Sequence, residues 1–286
     1  MVKKFLLSAA ALVALAACGG QQSANNGTPA SGAAPSASSA APAQNNASGS
    51  LIDRLNNKGV ITVGTEGTYA PFSYHDASGK LTGYDVEVAR AVAAKLGVTV
   101  EFKETQWDSM MAGLKAGRFD IVANQVGLTS PERKATFDKT ESYSWSGAVL
   151  VVGKDNATVK TIEDIKGIKT AQSLSSNYGE RAKAAGAEIV PVDGLAQSLM
   201  LIEQKRADAT LNDELAVLDY LKKNPNADVK IVWNAPKEER VGSGLIVKKS
   251  NDEALAKMSA AMKELQQDGT LKKLGEQFFG KDISVQ

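Results

Sequence analysis

The stretch Ala123-Asn-Gln-Val-Gly-Leu-Thr-Ser-Pro-Glu-Arg-Lys134 marks the point where a predicted strand passes into a predicted helix. Before it, the run Phe119-Asp-Ile-Val122 is typical of a short buried strand. After it, Thr129 or Ser130 is suited to cap a helix, and Pro131 is suited to the first helical position. The stretch therefore predicts a strand, a turn and a helix N-terminus in immediate succession.

This turn has the chemistry of a carboxylate site. It contains Gly127, and the helix N-terminus presents free backbone N–H groups together with the positive end of the helix dipole. Arg133 follows closely and adds a planar fork of donors. An ordinary strand-to-helix corner with a surface arginine is the alternative explanation of the same pattern.

The composition is that of a globular protein with a sizeable core. The 286 residues are 43% hydrophobic and 23% charged, and the formal net charge is +1. This length fits one large domain or two modest ones. Because the folded region contains no basic block, nothing in the charge pattern favours a nucleic-acid partner.

The first residues have the pattern of a secretory signal peptide. Lys3 and Lys4 precede an apolar run over residues 5–17, and this run is too short for an ordinary membrane-spanning helix. We interpret residues 1–17 as the signal peptide.

The sequence Leu15-Ala-Ala-Cys18 resembles a bacterial lipobox, in which the matching cysteine is acylated and becomes the mature N-terminus. Cys18 is the only cysteine of the chain, so neither an intramolecular disulfide nor a multi-cysteine metal cluster can form. The segment that follows is mainly Ala, Ser, Gly, Pro, Asn and Gln, which cannot bury enough surface to offset chain entropy. Residues 18–50 are therefore predicted to be a lipidated cysteine and a disordered tether.

Strands and helices alternate from residue 51 onwards. Strands predicted at 60–63, 98–102 and 119–123 are separated by helices at 85–96 and 107–116. After a strand at 148–152, a second series has strands at 168–171, 188–190, 207–211 and 229–233 with helices between them. Single helices between strands predict parallel, right-handed α/β layers.

The two series contain an internal echo. The segment from Lys115 to Asn124 and the segment from Lys205 to Asn212 both run from basic residues through an Asp and a short apolar strand to an Asn. Ligands of open α/β sheets gather at the carboxyl ends of strands. If the two series form facing lobes, Asn124 and the pair Asn212-Asp213 lie on opposite walls of one cleft. A chance likeness between two such units is the alternative.

The C-terminal elements continue neither series. A strand at 242–247 and a long helix at 252–268 are followed by a short final helix, and we expect the chain to return to the first lobe. Crossings near Ser146 and Gly242 would form a two-stranded hinge suited to closure. The predicted domains are lobe 1, at 51–146 and 243–286, and lobe 2, at 147–242.

Four motifs follow one another along the chain: Val63-Gly-Thr-Glu-Gly-Thr-Tyr-Ala-Pro-Phe72, Gly83-Tyr-Asp-Val-Glu-Val-Ala89, Asn124-Gln-Val followed by Glu132-Arg-Lys134, and Asn212-Asp-Glu214. With these motifs in this order, residues 51–280 resemble the periplasmic solute-binding proteins of polar amino-acid ABC importers, the bacterial extracellular solute-binding protein family 3. The resemblance implies a type II two-lobe α/β fold with a hinge, closing over one free amino acid that is delivered to a membrane permease.

The resemblance also implies how the ligand's carboxylate is held. Arg133 matches the arginine that forks the α-carboxylate, and Thr129 with the backbone at Gly127 matches the loop beside it. Ser175 and Ser176 match the start of a lobe 2 helix that donates to the same group. The pattern departs from the family's usual spacing by one residue, which leaves open whether Thr129 or Ser130 supplies the hydroxyl.

The remaining matched positions surround the rest of the ligand. Asp213 matches the acid that accepts the α-ammonium group, and Tyr69 and Trp107 match positions that wall the side chain. Glu66 matches a position that can touch the distal polar end, and Asn124 contributes a polar wall. Tyr69 and Trp107 have a simpler explanation as core aromatics, and Asp213 has one as a helix cap.

The ligand is less well determined by sequence than the class. The triplet Asn124-Gln-Val126 resembles that of cystine-binding members, so cystine or cysteine is the first prediction, with glutamine, histidine and arginine as alternatives. The other expected partners are the permease subunits of the importer and the membrane, reached only through the lipid anchor. We expect a monomer on the periplasmic side of a bacterial envelope.

Two other functions remain open. Some relatives with this fold are dehydratases of cyclic amino acids, and an arogenate-type dehydratase would need Glu66 as general acid. The same scaffold could also serve as a surface adhesin. His75 is the only histidine and no carboxylates cluster along the sequence, so the sequence predicts neither a metal, nor a cofactor, nor catalysis.

Overall fold

The computed structural model describes residues 49–286, and the predicted signal peptide, Cys18 and nearly all of the predicted tether lie outside the described residues. Two five-stranded sheets organise the described part. We call the first sheet and the helices packed on it lobe 1, and the second sheet with its helices lobe 2.

The sheet of lobe 1 is assembled from both ends of the described chain. Its strands are β1 (Val60–Thr65), β5 (Thr99–Glu104), β6 (Ile121–Val122), β7 (Phe137–Lys139) and β15 (Ile246–Lys248). They lie in the order β5-β1-β6-β15-β7. The first three are parallel, as the alternation of strands and helices predicts, whereas β15 is antiparallel to both of its neighbours. This strand enters the sheet without a crossover helix, and a parallel neighbour requires one.

The sheet of lobe 2 repeats this plan. Its strands are β9 (Ala148–Gly153), β10 (Lys169–Gln172), β11 (Glu188–Pro191), β12 (Ala209–Asp213) and β13 (Val229–Asn234). They lie in the order β11-β10-β12-β9-β13. Strands β10, β11 and β12 are parallel, and β9 is antiparallel to both of its neighbours. The strand by which the chain enters lobe 2 is thus the antiparallel one, as β15 is in lobe 1.

The helices bury the faces that their apolar spacing predicts. In α2 (Tyr84–Leu96), Val88, Ala89 and Val92 are almost fully buried, and the helix contacts α8 and α9. The helices of lobe 1 are α1 (Leu51–Asn56), α2, α3 (Trp107–Lys115), α4 (Pro131–Thr136), α8 (Asp252–Gln267) and α9 (Thr270–Phe279). Those of lobe 2 are α5 (Asn177–Ala184), α6 (Leu195–Glu203) and α7 (Glu214–Lys223).

Two smaller sheets join these parts. Strands β8 (Ser144–Ser146) and β14 (Val241–Ser243) pair antiparallel where the chain passes between the two large sheets. A three-stranded sheet of β2 (Thr68–Tyr69), β3 (Ser73–His75) and β4 (Leu81–Thr82) follows β1, between the predicted strand at 60–63 and the predicted helix at 85–96. Its strands have two or three residues each, which is too short for an alternating pattern to appear.

Candidate functional site

A narrow cavity lies between the lobes at the carboxyl ends of the central strands. Its volume is about 500 Å³, including the part open to solvent. It is lined by Glu66, Tyr69, Trp107, Asn124 and Gln125 of lobe 1 and by Gln172, Ser173, Ser176, Asn177, Tyr178, Gly194, Leu195 and Asn212 of lobe 2. Asn124 and Asn212 thus face one cavity from the two lobes, which confirms the prediction from the internal echo.

The echo also has a structural basis in its two aspartates. Asp120 accepts a hydrogen bond from the backbone N–H of Thr62 at 2.8 Å, and Asp208 accepts one from that of Lys169 at 2.9 Å. Each aspartate immediately precedes a central strand and ties it to the parallel strand beside it. The asparagines that end these strands are therefore held at equivalent places in the two lobes.

Asn124 and Glu66 form a polar wall on the lobe 1 side. Asn124 is fully buried, and its Nδ2 donates to Glu66 Oε2 at 2.5 Å. Its Oδ1 accepts from the backbone N–H of Glu66 at 2.8 Å and from Thr65 Oγ1 at 3.2 Å. Burial raises the pKa of Glu66 to about 7, although the Asn124 bond opposes this shift. Near neutral pH, Glu66 can therefore either accept a hydrogen bond as a carboxylate or donate one as an acid.

The two predicted aromatic walls lie at the cavity, and the alternative of plain core aromatics does not describe them. Tyr69 Oη donates to Asn212 Oδ1 at 2.9 Å, which is a direct hydrogen bond between the lobes. Trp107 begins α3, and its indole N–H is buried without a hydrogen-bond partner among the described residues. The guanidinium carbon of Arg133 lies 5.6 Å from the centre of the Trp107 ring.

Arg133 is buried behind this wall and is only 7% exposed. Its Nη2 donates to the carbonyl oxygen of Ser175 at 2.5 Å, and its Nη1 donates to that of Gly127 at 3.4 Å. None of the ion pairs in residues 49–286 includes Arg133. Burial lowers the pKa of Arg133, but a guanidinium stays charged at neutral pH. The hydrogen bonds of this buried cation thus go to two neutral carbonyl oxygens.

The loop before Arg133 shows which of the two candidate residues caps α4. Ser130 is the cap of α4, since its Oγ accepts from the backbone N–H of Arg133 at 3.3 Å, whereas Thr129 is exposed. A Cβ atom at Gly127 would lie 2.3 Å from Val241 Cγ1 of β14, so a side chain there would require Val241 to shift. Neither Gly127 nor Thr129 lines the cavity, and only the backbone of Gly127 contacts Arg133.

Asp213 is the anionic counterpart of Arg133 on lobe 2. It caps α7, accepting from the backbone N–H groups of Leu215 at 2.8 Å and Ala216 at 3.3 Å. Its other oxygen accepts from Tyr178 Oη at 3.2 Å. Burial raises the pKa of Asp213 to about 6, against the effect of these hydrogen bonds. Asp213 does not line the cavity, but Asn212 and Tyr178, which contact it, do.

The two predicted serines of lobe 2 have different surroundings. Ser176 lines the cavity and caps α5, since its Oγ accepts from the backbone N–H of Gly179 at 2.9 Å. Ser175 does not line the cavity, because its hydroxyl donates to Asp108 of lobe 1 at 2.7 Å. Five of the ten predicted ligand-binding residues therefore line the cavity: Glu66, Tyr69, Trp107, Asn124 and Ser176.

Sequence reasoning missed much of the lobe 2 wall. The lining residues that the sequence did not point to are Gln125 on lobe 1 and Gln172, Ser173, Asn177, Tyr178, Gly194 and Leu195 on lobe 2. Those of lobe 2 lie at strand ends and helix starts, so the rule that ligands gather at carboxyl ends of strands could have found them.

Residues 49–286 contain neither a membrane-spanning helix nor a metal-binding cluster of side chains. None of the helices in residues 49–286 combines the length and apolar character that crossing a membrane requires. The same part of the chain has no group of three or more His, Cys, Asp or Glu side chains arranged to hold a metal ion.

Comparison with known proteins identifies this architecture. The chain is 49% identical over 241 residues to the L-cystine-binding protein TcyA of Bacillus subtilis, with 84% of this chain and 88% of TcyA covered. A crystal structure of the L-cystine solute receptor of Neisseria gonorrhoeae, in the unliganded open conformation, is 82% identical, with 83% of this chain and 100% of that chain covered and a TM-score of 0.58. An ancestral arginine-binding protein bound to arginine is 37% identical over 78% of this chain and 99% of its own, with a TM-score of 0.72.

These likenesses confirm the predicted fold class, two α/β lobes of the type II periplasmic-binding-protein arrangement. The model of one family, described as bacterial extracellular solute-binding proteins, family 3, matches residues 61–281, which is most of the chain. The chain therefore belongs to the bacterial extracellular solute-binding proteins of family 3.

Proposed function

We propose that this chain is the substrate-binding protein of an amino-acid ABC importer and that it captures cystine from the envelope. The observation that carries this proposal is a pair of buried charges, one on each lobe. Arg133 and Asp213 are 7% and 3% exposed, and neither has an ion-pair partner in residues 49–286. A buried charge without a partner is costly, and a zwitterion supplies the missing partner to both.

Each end of an amino acid finds suitable groups. The guanidinium of Arg133 matches a planar carboxylate, and the carboxylate of Asp213 accepts from an ammonium group. Both charges lie directly behind residues that line the cavity, Arg133 against Trp107 and Asp213 against Tyr178. We propose that they approach the ligand when it enters, with the loop at Gly127 and Thr129 and the helix start at Ser176 beside the carboxylate.

The identity of the ligand is supported by the relatives and by the polar lining. TcyA and the gonococcal receptor are both named for L-cystine. Cystine carries a second amino-acid head, and Glu66 and Asn124 offer it hydrogen-bonding groups at the far side of the cavity. Cysteine and other polar amino acids are the alternatives that the experiment must separate.

The lobes act by closing, and we propose boundaries at 146/147 and 242/243 for them. All strands of the lobe 2 sheet fall between these points, and β8 pairs with β14 next to them. The 82% identical receptor in its open conformation matches less well than the 37% identical protein bound to arginine, with TM-scores of 0.58 and 0.72. A different angle between two similar lobes produces such a difference, which supports a closed arrangement here. Closure presents the shape that the permease recognises.

A ligand screen tests this proposal. We expect cystine to raise the melting temperature of the purified protein above the effect of any of the twenty amino acids, because binding to the folded state alone stabilises it by about 2.7 kcal/mol at 100 times Kd. Cysteine is measured with a reductant present, so that it cannot oxidise to cystine. A larger shift with another amino acid would replace cystine, and the absence of any shift would contradict the whole proposal.

We propose that the protein binds and does not catalyse. The relatives named above are binding proteins, and one more distant structure is an ancestral amino-acid-binding protein described as a precursor of cyclohexadienyl dehydratase. Product formed from arogenate by the wild type, and lost in Glu66→Gln, would establish the enzymatic alternative.

We propose that the protein is monomeric, lies on the periplasmic side of the envelope and is attached through Cys18. The proposed location and attachment rest on the sequence Leu15-Ala-Ala-Cys18. We expect Cys18→Ala to abolish partitioning into the detergent phase while cystine binding stays unchanged, because residue 18 precedes the first described residue by a long polar segment. Unchanged partitioning of the variant would contradict lipid attachment.

A further inference from the structure

Asp108 of lobe 1 holds a loop of lobe 2. Its Oδ1 accepts from the backbone N–H of Ser175 at 2.9 Å and from Ser175 Oγ at 2.7 Å, and its Oδ2 accepts from the backbone N–H of Leu174 at 3.2 Å. Asp108 is the second residue of α3, directly after Trp107 of the cavity wall. The held loop directly precedes Ser176, which caps α5.

Lobe 1 satisfies every polar atom of Ser175. Its N–H and hydroxyl donate to Asp108, and its carbonyl oxygen accepts from Arg133 at 2.5 Å. The hydroxyl therefore has a partner in the other lobe and does not face the cavity. Each of these three bonds has an ionised donor or acceptor, and such bonds are stronger than those between neutral groups.

We propose that Asp108 is a positioning residue for ligand capture: it fastens the loop of Leu174 and Ser175 to lobe 1 and so holds the closed cleft on its ligand without touching that ligand. This rests on the proposed function, since the ligand is the amino acid captured there. The bonds exist only when the lobes are close, so they contribute to the closed state alone. Loss of Asp108 then speeds release and leaves the rate of first encounter unchanged.

The kinetic test compares Asp108→Ala and Asp108→Asn with wild type by stopped-flow fluorescence with cystine. We expect the dissociation rate to rise about tenfold in Asp108→Ala and less in Asp108→Asn, which keeps one acceptor oxygen, while the association rate changes less than twofold. The matched control is Asp138→Ala, which removes an acid whose partner, Lys249 at 2.9 Å, belongs to the same lobe. Equal dissociation rates in wild type and Asp108→Ala would overturn the proposal.

A role confined to helix α3 is distinguished by stability. An acid in the first turn stabilises a helix through its dipole, so such a role would lower the melting temperature of the ligand-free protein in Asp108→Ala without raising the dissociation rate. The proposal predicts a faster dissociation of cystine, whether or not the melting temperature changes. A variant that melts lower and releases cystine at the wild-type rate would assign Asp108 to the helix and refute the proposal.

A double-mutant cycle with Ser175→Ala tests whether the Ser175 hydroxyl acts through Asp108 or contacts the ligand directly. If the hydroxyl acts through Asp108, Ser175→Ala weakens binding in wild type but causes no further loss in Asp108→Ala. If the hydroxyl donates to the ligand's carboxylate, as the family resemblance implies, the loss is the same in both backgrounds. The second result would contradict the proposal.

A measurement without ligand keeps this inference separate from the proposed function. In a Cys18→Ala background, the two substitutions Lys115→Cys and Lys183→Cys in one molecule provide one exposed labelling site on each lobe. Fluorophores attached there report the distance between the lobes. We expect Asp108→Ala to lower the closed fraction relative to wild type and Asp138→Ala to leave it unchanged. If no amino acid binds wild type, the proposed function fails while this comparison still decides the role of Asp108. An unchanged closed fraction would refute that role.

Discussion

Arg133→Ala is expected to weaken cystine binding by at least about tenfold, with Arg133→Lys also impaired but less severely. Arginine is the only buried cation beside the cavity among the described residues, and its fork matches both oxygens of a carboxylate. Lysine keeps the charge and loses this geometry. Both substitutions also remove the bond from the guanidinium to the Ser175 carbonyl, which joins the lobes. Isothermal titration calorimetry measures the change.

Amidation of the ligand separates these two contributions. If Arg133 holds the carboxylate, amidating that group costs wild type far more affinity than it costs Arg133→Ala, because the two changes remove one shared interaction. If Arg133 only joins the lobes, amidation costs the same in both proteins. Equal losses would show that the carboxylate lies elsewhere.

Asp213→Asn is expected to weaken binding by about 2–5 kcal/mol while hardly changing the stability of the ligand-free protein. Asparagine caps a helix about as well as aspartate does, so the bonds to Leu215 and Ala216 have a substitute acceptor. Asparagine carries no negative charge, however, so the interaction with the ligand's ammonium group has no substitute. Asp208→Asn is the matched control, since this acid lies before the same strand and ties it to Lys169. Near-native affinity of Asp213→Asn in calorimetry would remove Asp213 from the site.

The same residue predicts a pH dependence of binding. Burial raises the pKa of Asp213 to about 6, and an adjacent ammonium group favours the ionised form. Binding therefore expels a proton below about pH 6, and the affinity falls as the pH decreases from 7.5 to 5. In Asp213→Asn the slope is smaller, and what remains is contributed by Glu66, whose pKa is about 7. A slope that is equal in both proteins would contradict the assignment.

The ligand-free protein should respond to pH with the opposite sign. Glu66, Asp85 and Asp213 all have a pKa that burial raises, to about 7, 7 and 6. The folded state then binds protons more tightly than the unfolded state, so this stabilisation is complete below the unfolded pKa values and is lost as the pH rises through the folded ones. We expect the free energy of unfolding in urea to decrease between pH 5 and 8, and less so when cystine is present.

The fold was predictable because the signals that carry it are local. The apolar spacing in α2 gives its buried face, and the single helices between β1, β5 and β6 give their parallel arrangement. The short strands β2, β3 and β4 were not predictable, since two or three residues show no alternation. They pair with one another across short hairpins, Tyr69 with Ser73 and His75 with Leu81.

The site was predictable only in part, because some of its contacts join segments that are distant along the chain. Strand ends and family motifs point to Asn124, Glu66 and Tyr69, and these residues line the cavity. Nothing near Ser175 along the chain indicates that its hydroxyl bonds to Asp108, which lies 67 positions earlier. The close approach to Gly127 likewise comes from a distant residue, Val241 of the hinge strand.

The hydrogen bond from Tyr69 to Asn212 stabilises the closed form whether or not a ligand is bound, which has a consequence for transport. It joins protein to protein, so it stabilises the closed form of a loaded receptor and of an empty one by the same amount. Strengthening it would tighten retention of the ligand, and it would also increase the fraction of empty receptors that look loaded. If the permease of the proposed importer recognises the closed shape, each empty closed receptor causes ATP hydrolysis without import of an amino acid. A neutral bond of ordinary length is therefore a compromise between retaining the ligand and limiting ATP hydrolysis without import.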